Sequence, residues 1–497
     1  MEKKNRVTIN WILFFVSLTV VFVLGLLASS ITERRAEAVF AYTPQNKIAN
    51  FEPRNEVWGE NFPREFESYY QTEDSSFFSK YNGGGMIDML EVDTRLVVLW
   101  AGYGFSKDYS QGRGHFYAID DIRNTLRTGG PMKPNKGPMP TTCWTCKSPD
   151  VPRVMNKEGV AEFYTGKWAR LGSEIINPIG CADCHDPETQ DLKISRPALV
   201  EGFKALGKDI TKATHQEMRS LVCAQCHVEY YFKKEGSYVT FPWDNGLSAE
   251  DMEKYYDDIE FYDYIHALSK TPIIKAQHPD YEIFTTGVHY DRGVSCTDCH
   301  MPYVREGSQK ITDHKIQSPL NNIANSCLVC HRESEDELRR NVYERQDKVH
   351  QQRILLEDLI VKAHIETACA IDLGASDEQL KPIHKYIRAA QWRWDYVGAS
   401  HGGSFHSPVE SLRVTSAGIE KASHARVEIS RLLAELGHNK PVEMPDISTK
   451  EKAQAYLGLN LEKLQSEKDE WLKNELPKWL EIAKAREAQM PMPKRIK

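Results

Sequence analysis

The chain has 497 residues and a formal net charge of −7, from 63 basic and 70 acidic side chains. This balance argues against nucleic acid as a partner, and an anionic ligand would need a locally positive path into the protein. The length exceeds what one ordinary hydrophobic core requires.

The N-terminus carries the pattern of an export signal. Lys3, Lys4 and Arg6 precede residues 11–28, which are uncharged and mostly apolar. A basic segment before an apolar core predicts an export signal. The core is close to the shortest length that spans a bilayer, so an uncleaved N-terminal membrane anchor is the alternative. We therefore assign residues 1–38 to a signal peptide or anchor and expect the rest of the chain to be periplasmic.

The next part of the chain has few signs of long secondary structure. Residues 39–70 are polar and are predicted to run extended over the surface. Residues 71–335 are rich in Gly, Pro and Asp, which predicts short helices at most. We treat residues 39–335 as one catalytic region.

Five motifs in this region share a Cys-x-x-Cys core. One reads Cys-Trp-Thr-Cys-Lys and four read Cys-x-x-Cys-His, a motif expected about 0.008 times by chance in this composition. Cys-x-x-Cys-His is the attachment signal for c-type haem, whereas zinc sites and disulfide frameworks do not require the histidine. The sequence therefore predicts five covalently bound haems, attached through Cys143, Cys146, Cys181, Cys184, Cys223, Cys226, Cys296, Cys299, Cys327 and Cys330. The residue after each pair is the expected axial ligand to iron: Lys147, His185, His227, His300 and His331.

Five haems would pack in the protein interior, where apolar side chains form the core of an ordinary domain. We expect a mainly α protein with little sheet, a multihaem cytochrome c fold with a haem-packed core and long C-terminal helices. The remaining cysteine, Cys369, lies in a helical pattern and is expected to be a small buried apolar residue.

Long helical patterns begin near Ser334, which forms a capping-box signature with Glu337. The predicted helices are 334–373, 377–397, 407–437 and 449–486. They make up a region 336–497 that forms one globular unit with 39–335. Long antiparallel helices serve as a packing scaffold or as a two-fold interface, and we favour a homodimer interface.

The lysine motif marks one haem as different from the rest. The four histidine-ligated haems each need a second histidine, for which the candidates are His115, His215, His266, His278, His289, His314, His401 and His406. An amine binds iron only when deprotonated and offers no second nitrogen for a hydrogen bond. Lys147 therefore suggests a reactive haem with one open face. The alternative is that Lys147 is solvent-exposed and the ligand comes from elsewhere.

With these motifs in order, the chain resembles the pentahaem cytochrome c nitrite reductases, the ammonia-forming family. The resemblance covers nearly all of the exported chain. Matching stretches are 113–129 (RGHFYAIDDIRNTLRTG), 226–230 (CHVEY), 275–279 (KAQHP), 312–315 (TDHK) and 405–408 (FHSP). It implies the six-electron reduction of nitrite to ammonium at the Lys147 haem, with four bis-histidine haems relaying electrons.

The resemblance also implies roles for individual residues. Arg127, Tyr230 and His278 would form the distal pocket of the active haem. In motif order, the distal ligands of the four other haems would be His314, His115, His406 and His289. One calcium ion would be held by the side chains of Glu229 and Gln277 and the carbonyls of Tyr230 and Lys275, all oxygen donors.

The residues themselves leave other interpretations open. Arg127 is expected on one helix with Arg123, from about residue 120 to 129, where it could instead pair with Asp120 or Asp121. Tyr230 must lie near haem but could serve only as packing. His278 could be a haem ligand.

Two other classes of protein remain as alternatives. A non-catalytic multihaem electron carrier would have every iron capped. A hydroxylamine-oxidising multihaem enzyme would generally carry more than five haems. For the main interpretation, the resemblance implies a membrane-anchored tetrahaem quinol dehydrogenase or a soluble multihaem carrier as electron donor.

Overall fold

The computed structural model of the chain describes residues 2–38, 45–307, 309–491 and 494–495. Helix α1 spans Glu2–Ala38. Within it, Thr8–Ile31 is a 24-residue segment that is long and apolar enough to cross a membrane. All of its residues are exposed. Such a segment fits a signal or an anchor. The side chains of the predicted flanking charges Lys3, Lys4 and Arg6 lie outside the described residues.

The prediction of an extended segment over 39–70 is wrong in its second half, and residues 39–44 lie outside the described part. Helices α2 (Asn55–Gly59) and α3 (Pro63–Tyr70) form there. Trp58 of α2 is buried and its indole Nε1 donates to the carbonyl of Glu52 at 3.0 Å. Pro63 supplies the fixed φ that suits a first helical position.

The motif-bearing region consists of short helices joined by irregular chain, as predicted. Helices α4 to α16 are Met89–Val92, Arg95–Leu99, Ala118–Asn124, Asp150–Glu158, Val160–Tyr164, Cys181–Cys184, Pro197–Ala205, His215–Ala224, Ala249–Asp258, Asp280–Phe284, Val288–Asp291, Cys296–His300 and Ile323–Ser326. The 3-10 helices are Gln71–Glu73, Gly104–Ser106, His115–Tyr117, Leu126–Thr128, Thr141–Trp144, Trp168–Leu171, Ile210–Lys212 and Pro319–Asn321.

Sheet is scarce in the described residues. Eight short strands pair into four antiparallel two-stranded sheets, β1 with β8, β2 with β3, β4 with β5 and β6 with β7. Strands β1 to β8 are Asn46–Lys47, Tyr231–Phe232, Val239–Thr240, Tyr264–Ile265, Pro272–Ile273, Tyr303–Glu306, Gln309–Thr312 and Lys494–Arg495.

The long C-terminal helices agree closely with three of the four predicted ones. Helices α17 to α20 are Glu335–Asp372, Asp377–Ala399, Gly403–His406 and Pro408–Glu435. The Ser334 hydroxyl accepts from the amide of Glu337 at 3.3 Å and so caps α17. Cys369, predicted to be buried, is half-buried on α17 and packs at the edge of the helical core.

The single helix predicted over 449–486 is wrong. The chain forms α21 (Lys450–Tyr456), α22 (Leu461–Asn474) and α23 (Leu476–Glu487) instead. Gly458 ends the first with φ +69°, and the Asn460 side chain caps α22 by accepting from the amide of Lys463 at 3.0 Å. These local stop and start signals outweigh the continuous helical pattern.

Two large apolar cores hold the described chain together. The first surrounds the lysine motif and includes Trp144, Trp168, Trp392 and Trp471. The second joins α5 to α17, α18 and α20. Both contain residues from either side of position 335.

Candidate haem-binding active site

The attachment motifs form tight turns that return the last residue to the first. In three Cys-x-x-Cys-His motifs the histidine amide donates to the carbonyl of the first cysteine at 2.9 Å, and these histidines are His185, His227 and His331. The remaining Cys-x-x-Cys-His motif, Cys296–His300, forms helix α15. In the lysine motif the turn is one residue tighter, because the amide of Lys147 donates to the carbonyl of Trp144 at 3.0 Å.

The structure brings eight histidine rings together in four pairs. The ring-centroid separations are 6.3 Å for His185 with His314, 6.3 Å for His115 with His227, 6.1 Å for His300 with His406 and 6.4 Å for His289 with His331. Two iron–nitrogen bonds of about 2 Å and two ring radii add up to roughly 6 Å, so each gap fits one iron. These are the ligand pairs that the family resemblance implies, and their role as ligands stays a prediction.

Several of these rings are oriented through their second nitrogen. The Nδ1 atoms of His185, His300 and His314 lie 2.9, 2.9 and 2.8 Å from the carbonyls of Gln190, Gln317 and Thr312. An N–H at Nδ1 donating to a carbonyl leaves Nε2 free as a metal ligand. Burial lowers the pKa of all three rings, which keeps them neutral as ligands must be.

One connected cavity of about 1900 Å³ runs through the motif-bearing region. A site for one small molecule is typically about 300–1,000 Å³, so this space suits several large groups. Lys147 lines it together with eight of the ten paired cysteines: Cys143, Cys146, Cys184, Cys223, Cys226, Cys296, Cys299 and Cys327. The thiols, the spaced ring pairs and the shared cavity fit covalently attached haems.

Arg127 reaches this cavity from a turn and not from the predicted helix. Helix α6 ends at Asn124, Thr125 is extended, and Arg127 lies on the 3-10 helix Leu126–Thr128. Asp108 breaks the helix because its Oδ2 accepts from the Thr125 hydroxyl at 2.6 Å and from the amide of Leu126 at 2.8 Å.

The guanidinium of Arg127 is held at its base and open at its tip. Its carbon lies 4.3 Å from the ring centre of Phe105, and its Nε donates to the Thr125 hydroxyl at 3.2 Å. Among the described residues the two terminal nitrogens have no hydrogen-bond partner, and Asp121 pairs with Arg113 instead, at 2.7 Å. Burial raises the pKa of Cys143 to about 12, against the charges of Arg127 and Lys147. Both cations therefore lie near that cysteine.

Tyr230 lines the same cavity, three residues after His227. Its ring stacks on Phe232 with a centroid separation of 5.7 Å. Burial raises its pKa well above the ordinary value, with the nearby Cys146 and Cys143 as further causes. The phenol is therefore protonated and able to donate at neutral pH.

His278 is connected to the third motif through a carboxylate. Asp280 Oδ2 lies 3.5 Å from His278 Nδ1 and 3.5 Å from His227 Nδ1, while Oδ1 accepts from the Ser400 hydroxyl at 2.9 Å. Burial lowers the pKa of His278 to about 3, so the imidazole is neutral. The ring of His401 contacts it edge-on at 4.6 Å. The sequence had not singled out Asp280, because only the fold brings it to both rings.

The residues expected to bind calcium lie together in a buried acidic pocket. Glu229 is fully buried, and its carboxylate accepts from the amide of Gln277 at 2.6 Å and from the Tyr256 hydroxyl at 2.9 Å. The side-chain amide of Gln277 contacts the carbonyl of Lys275 at 2.9 Å. Burial raises the pKa of Glu229 well above its usual range. A divalent cation would compensate this buried charge, and all the donors are oxygens, as calcium prefers.

Three further buried acids, which sequence reasoning missed, surround this pocket. Burial raises the pKa of Glu282 to about 8, of Asp263 to about 7 and of Asp395 to about 6. Asp395 pairs with the ammonium of Lys275 at 2.9 Å, and Glu282 accepts from the amide of Glu229 at 2.9 Å. Their positions, spread over more than 130 residues of sequence, gave no signal of a common site.

The remaining candidate histidines are not paired across such a gap in the described residues. His215 is exposed at the start of α11. His266 is buried, and its Nε2 lies 2.8 Å from the carbonyl of Val98.

Fold and site together define a multihaem c-type cytochrome that is mainly α-helical, as predicted. The family model for cytochrome c552 matches residues 54–489, and the chain belongs to that family. A cytochrome c-552 from Porphyromonas gingivalis is 57% identical over 487 residues, which cover 98% of both chains. One from Bacteroides fragilis is 58% identical and covers 98% of this chain and 99% of its own.

A solved structure shares the fold. The catalytic subunit of the cytochrome c nitrite reductase from Desulfovibrio desulfuricans, in which two calcium sites are described, superposes with a TM-score of 0.72. It is 30% identical, and the match covers 90% of this chain and 98% of that one.

Proposed function

We propose that this chain is a cytochrome c nitrite reductase that converts nitrite to ammonium. Nitrite nitrogen is at +3 and ammonium nitrogen at −3, so the reaction takes up six electrons and eight protons and releases two waters. Membership of the cytochrome c552 family and the likeness to the Desulfovibrio desulfuricans nitrite reductase support this activity.

The observation that carries the proposal is the composition of one cavity. Lys147, Arg127, Tyr230 and His278 all line it, next to the spaced histidine pairs. A haem bound at Lys147 would supply the redox-active iron. A carrier protein would have no use for an unpaired guanidinium, a phenol and an imidazole that line the same cavity.

The protein residues supply charge and protons. Arg127 presents a permanent positive charge and free N–H groups, which suit a planar oxyanion such as nitrite. Tyr230 is a protonated phenol that donates a proton within the cavity. Neutral His278 holds its single proton on Nδ1, facing Asp280, so its Nε2 is an acceptor that hydrogen-bonds a protonated oxygen of the substrate.

The four histidine pairs would hold the relay haems. Those haems would supply electron transfer to the active haem, which cannot store six electrons itself. The pairs, in motif order, are His185 with His314, His227 with His115, His300 with His406, and His331 with His289.

The side chains of Glu229 and Gln277 and the carbonyls of Tyr230 and Lys275 would hold a calcium ion beside Tyr230 and His278. Because these residues alternate in sequence with the catalytic ones, a bound ion would fix both catalytic side chains in place.

The cellular setting follows from the N-terminal helix and the family. The protein acts in the periplasm, with Thr8–Ile31 as a cleaved signal or as an anchor. Electrons come from a membrane-anchored tetrahaem quinol dehydrogenase or a soluble multihaem carrier. The long helices α17, α18 and α20 form a homodimer interface.

The test is a combined binding and turnover measurement on the purified protein carrying its haems. Electron paramagnetic resonance of the oxidised protein should show a high-spin ferric signal that changes when nitrite is added. With a reduced viologen dye, ammonium should form in a 1:6 ratio to electrons consumed. Only low-spin signals that are indifferent to nitrite, with no ammonium formed, would instead identify a non-catalytic electron carrier.

A further inference from the structure

Lys468 is a buried lysine on the C-terminal helix α22. The residue is 1% exposed. Among the described residues no carboxylate pairs with its ammonium group. Burial lowers its pKa to about 7, against the charge of Asp108. A lysine kept in such a place costs free energy of desolvation, which its contacts have to offset.

Those contacts are made to the turn that carries Arg127. The ammonium Nζ donates to the carbonyl of Arg123 at 2.9 Å and to the hydroxyl of Thr128 at 2.7 Å. The two acceptors flank Arg127 on either side in sequence. Asp108 holds the same turn through the Thr125 hydroxyl and the Leu126 amide.

The backbone of α22 also packs directly on this turn. A Cβ atom at Gly130 would lie 2.0 Å from the carbonyl oxygen of Glu467, so only glycine permits this approach. Lys468 follows Glu467 in the chain and reaches into the turn from that contact.

The same helix is also connected to the lysine motif. Trp471, one turn further along α22, packs on Trp168 at 5.7 Å, and Trp168 stacks on Trp144 at 4.8 Å. Trp144 lies inside the Cys-x-x-Cys-Lys motif, and its indole Nε1 donates to the carbonyl of Trp168 at 2.8 Å. One rigid helix thus contacts the Arg127 turn through Lys468 and the Lys147 turn through tryptophans.

We infer that Lys468 is a positioning residue that fixes the guanidinium of Arg127 relative to the Lys147 motif and thereby sets the affinity for nitrite. It touches neither substrate nor cofactor. The inference rests on the proposed function, because it assumes that Arg127 binds the anion.

The test compares an anionic and an uncharged substrate in the variant Lys468→Met, purified with its haems. Loss of the two hydrogen bonds should raise both the nitrite Kd, from spectral titration of the oxidised protein, and the nitrite KM by about tenfold. Hydroxylamine, which is uncharged at neutral pH and takes up two electrons to give ammonia and water, should keep its KM. Lys463→Met, an exposed position on the same helix, should change neither value.

Two variants at Thr128 keep the inference testable if Lys468→Met does not fold. Thr128→Val removes one acceptor and should shift the nitrite Kd in the same direction by a smaller factor, while Thr128→Ser should restore it. An unchanged nitrite Kd in Lys468→Met, or equal rises in both KM values, would overturn the inference. If Lys468→Met lacks haem, an unchanged nitrite Kd in Thr128→Val overturns it. If the unaltered protein binds nitrite but makes no ammonium, the proposed function is wrong, and the Kd comparison still decides the role of Lys468. If the unaltered protein binds no nitrite, both the proposed function and the role of Lys468 are wrong.

Discussion

Histidine rings lie close together in two kinds of place in this molecule, with opposite arrangements. Around the attachment motifs four pairs stand 6.1 to 6.4 Å apart, and among the described residues no hydrogen bond joins the two rings of a pair. Where the chain after β4 meets α17, His266 and His364 stack at 3.5 Å. Their nitrogens are taken up by the carbonyl of Val98, by Ser269 and by Gln391. Ring spacing and the partners of each nitrogen therefore separate rings that fit a metal from rings that complete a polar core.

The lysine motif adds a second contrast within the motif-bearing region. All five motifs use short turns, but only one ends in lysine, and Arg127, Tyr230 and His278, proposed to act on nitrite, line the cavity that Lys147 also lines. On the proposed function, one kind of backbone unit serves both for electron relay and for chemistry.

The largest expected effect comes from removing the proton donor proposed for the cavity at Lys147. Tyr230→Phe removes the phenolic proton donor and should lower nitrite turnover by about 10²–10⁴-fold, with haem content and nitrite binding preserved. The adjacent Tyr231→Phe is the matched control and should leave turnover near the parental rate, because among the described residues its hydroxyl hydrogen-bonds Tyr255 alone, at 2.7 Å. Steady-state rates with a reduced dye measure both, and equal rates would remove Tyr230 from the reaction.

Removing one histidine of a spaced pair should open a haem iron without creating a second site of nitrite reduction. His314→Ala removes one ring of a spaced pair and should add a high-spin ferric signal in electron paramagnetic resonance. Nitrite turnover should fall by about 10–100-fold, because a relay haem is altered. His424→Ala, on the exposed face of α20, should change neither measurement. The absence of any new high-spin signal would show that His314 is not a ligand.

Much of this arrangement follows from residue types and spacing. The Cys-x-x-Cys pairs predict attachment, and the 3.6-residue patterns predict α17, α18 and α20 to within about two residues. The helix predicted through Arg127 failed because Asp108, far from it in sequence, captures the Thr125 hydroxyl and the Leu126 amide. Likewise Asp263 and Asp395 gave no signal, since their raised pKa values arise from burial that only the tertiary fold produces.

A smaller effect on turnover is expected from changing the acidic pocket around Glu229. Removing calcium with a chelator, or substituting Glu229→Gln, should lower nitrite turnover by about tenfold, because the ion orients Tyr230 and His278 without touching substrate. Haem content and the four low-spin signals should stay unchanged. Glu235→Gln, an exposed position in the same segment, is the control. Full activity of a chelated sample shown by metal analysis to be calcium-free would contradict this role.

The stacked rings of His266 and His364 should affect stability and leave turnover unaltered. Burial lowers the pKa of His364 to about 4 and that of His266 well below its ordinary value, so the folded state holds both neutral. Below about pH 6.5 the unfolded chain binds more protons than the folded one, and the free energy of unfolding should fall by up to about 1.4 kcal/mol per pH unit for each histidine. His364→Gln should make this slope shallower by about one proton between about pH 6.5 and pH 4. Denaturant unfolding followed at several pH values measures the slope. An unchanged slope in His364→Gln would mean that His364 does not titrate between the folded and unfolded states.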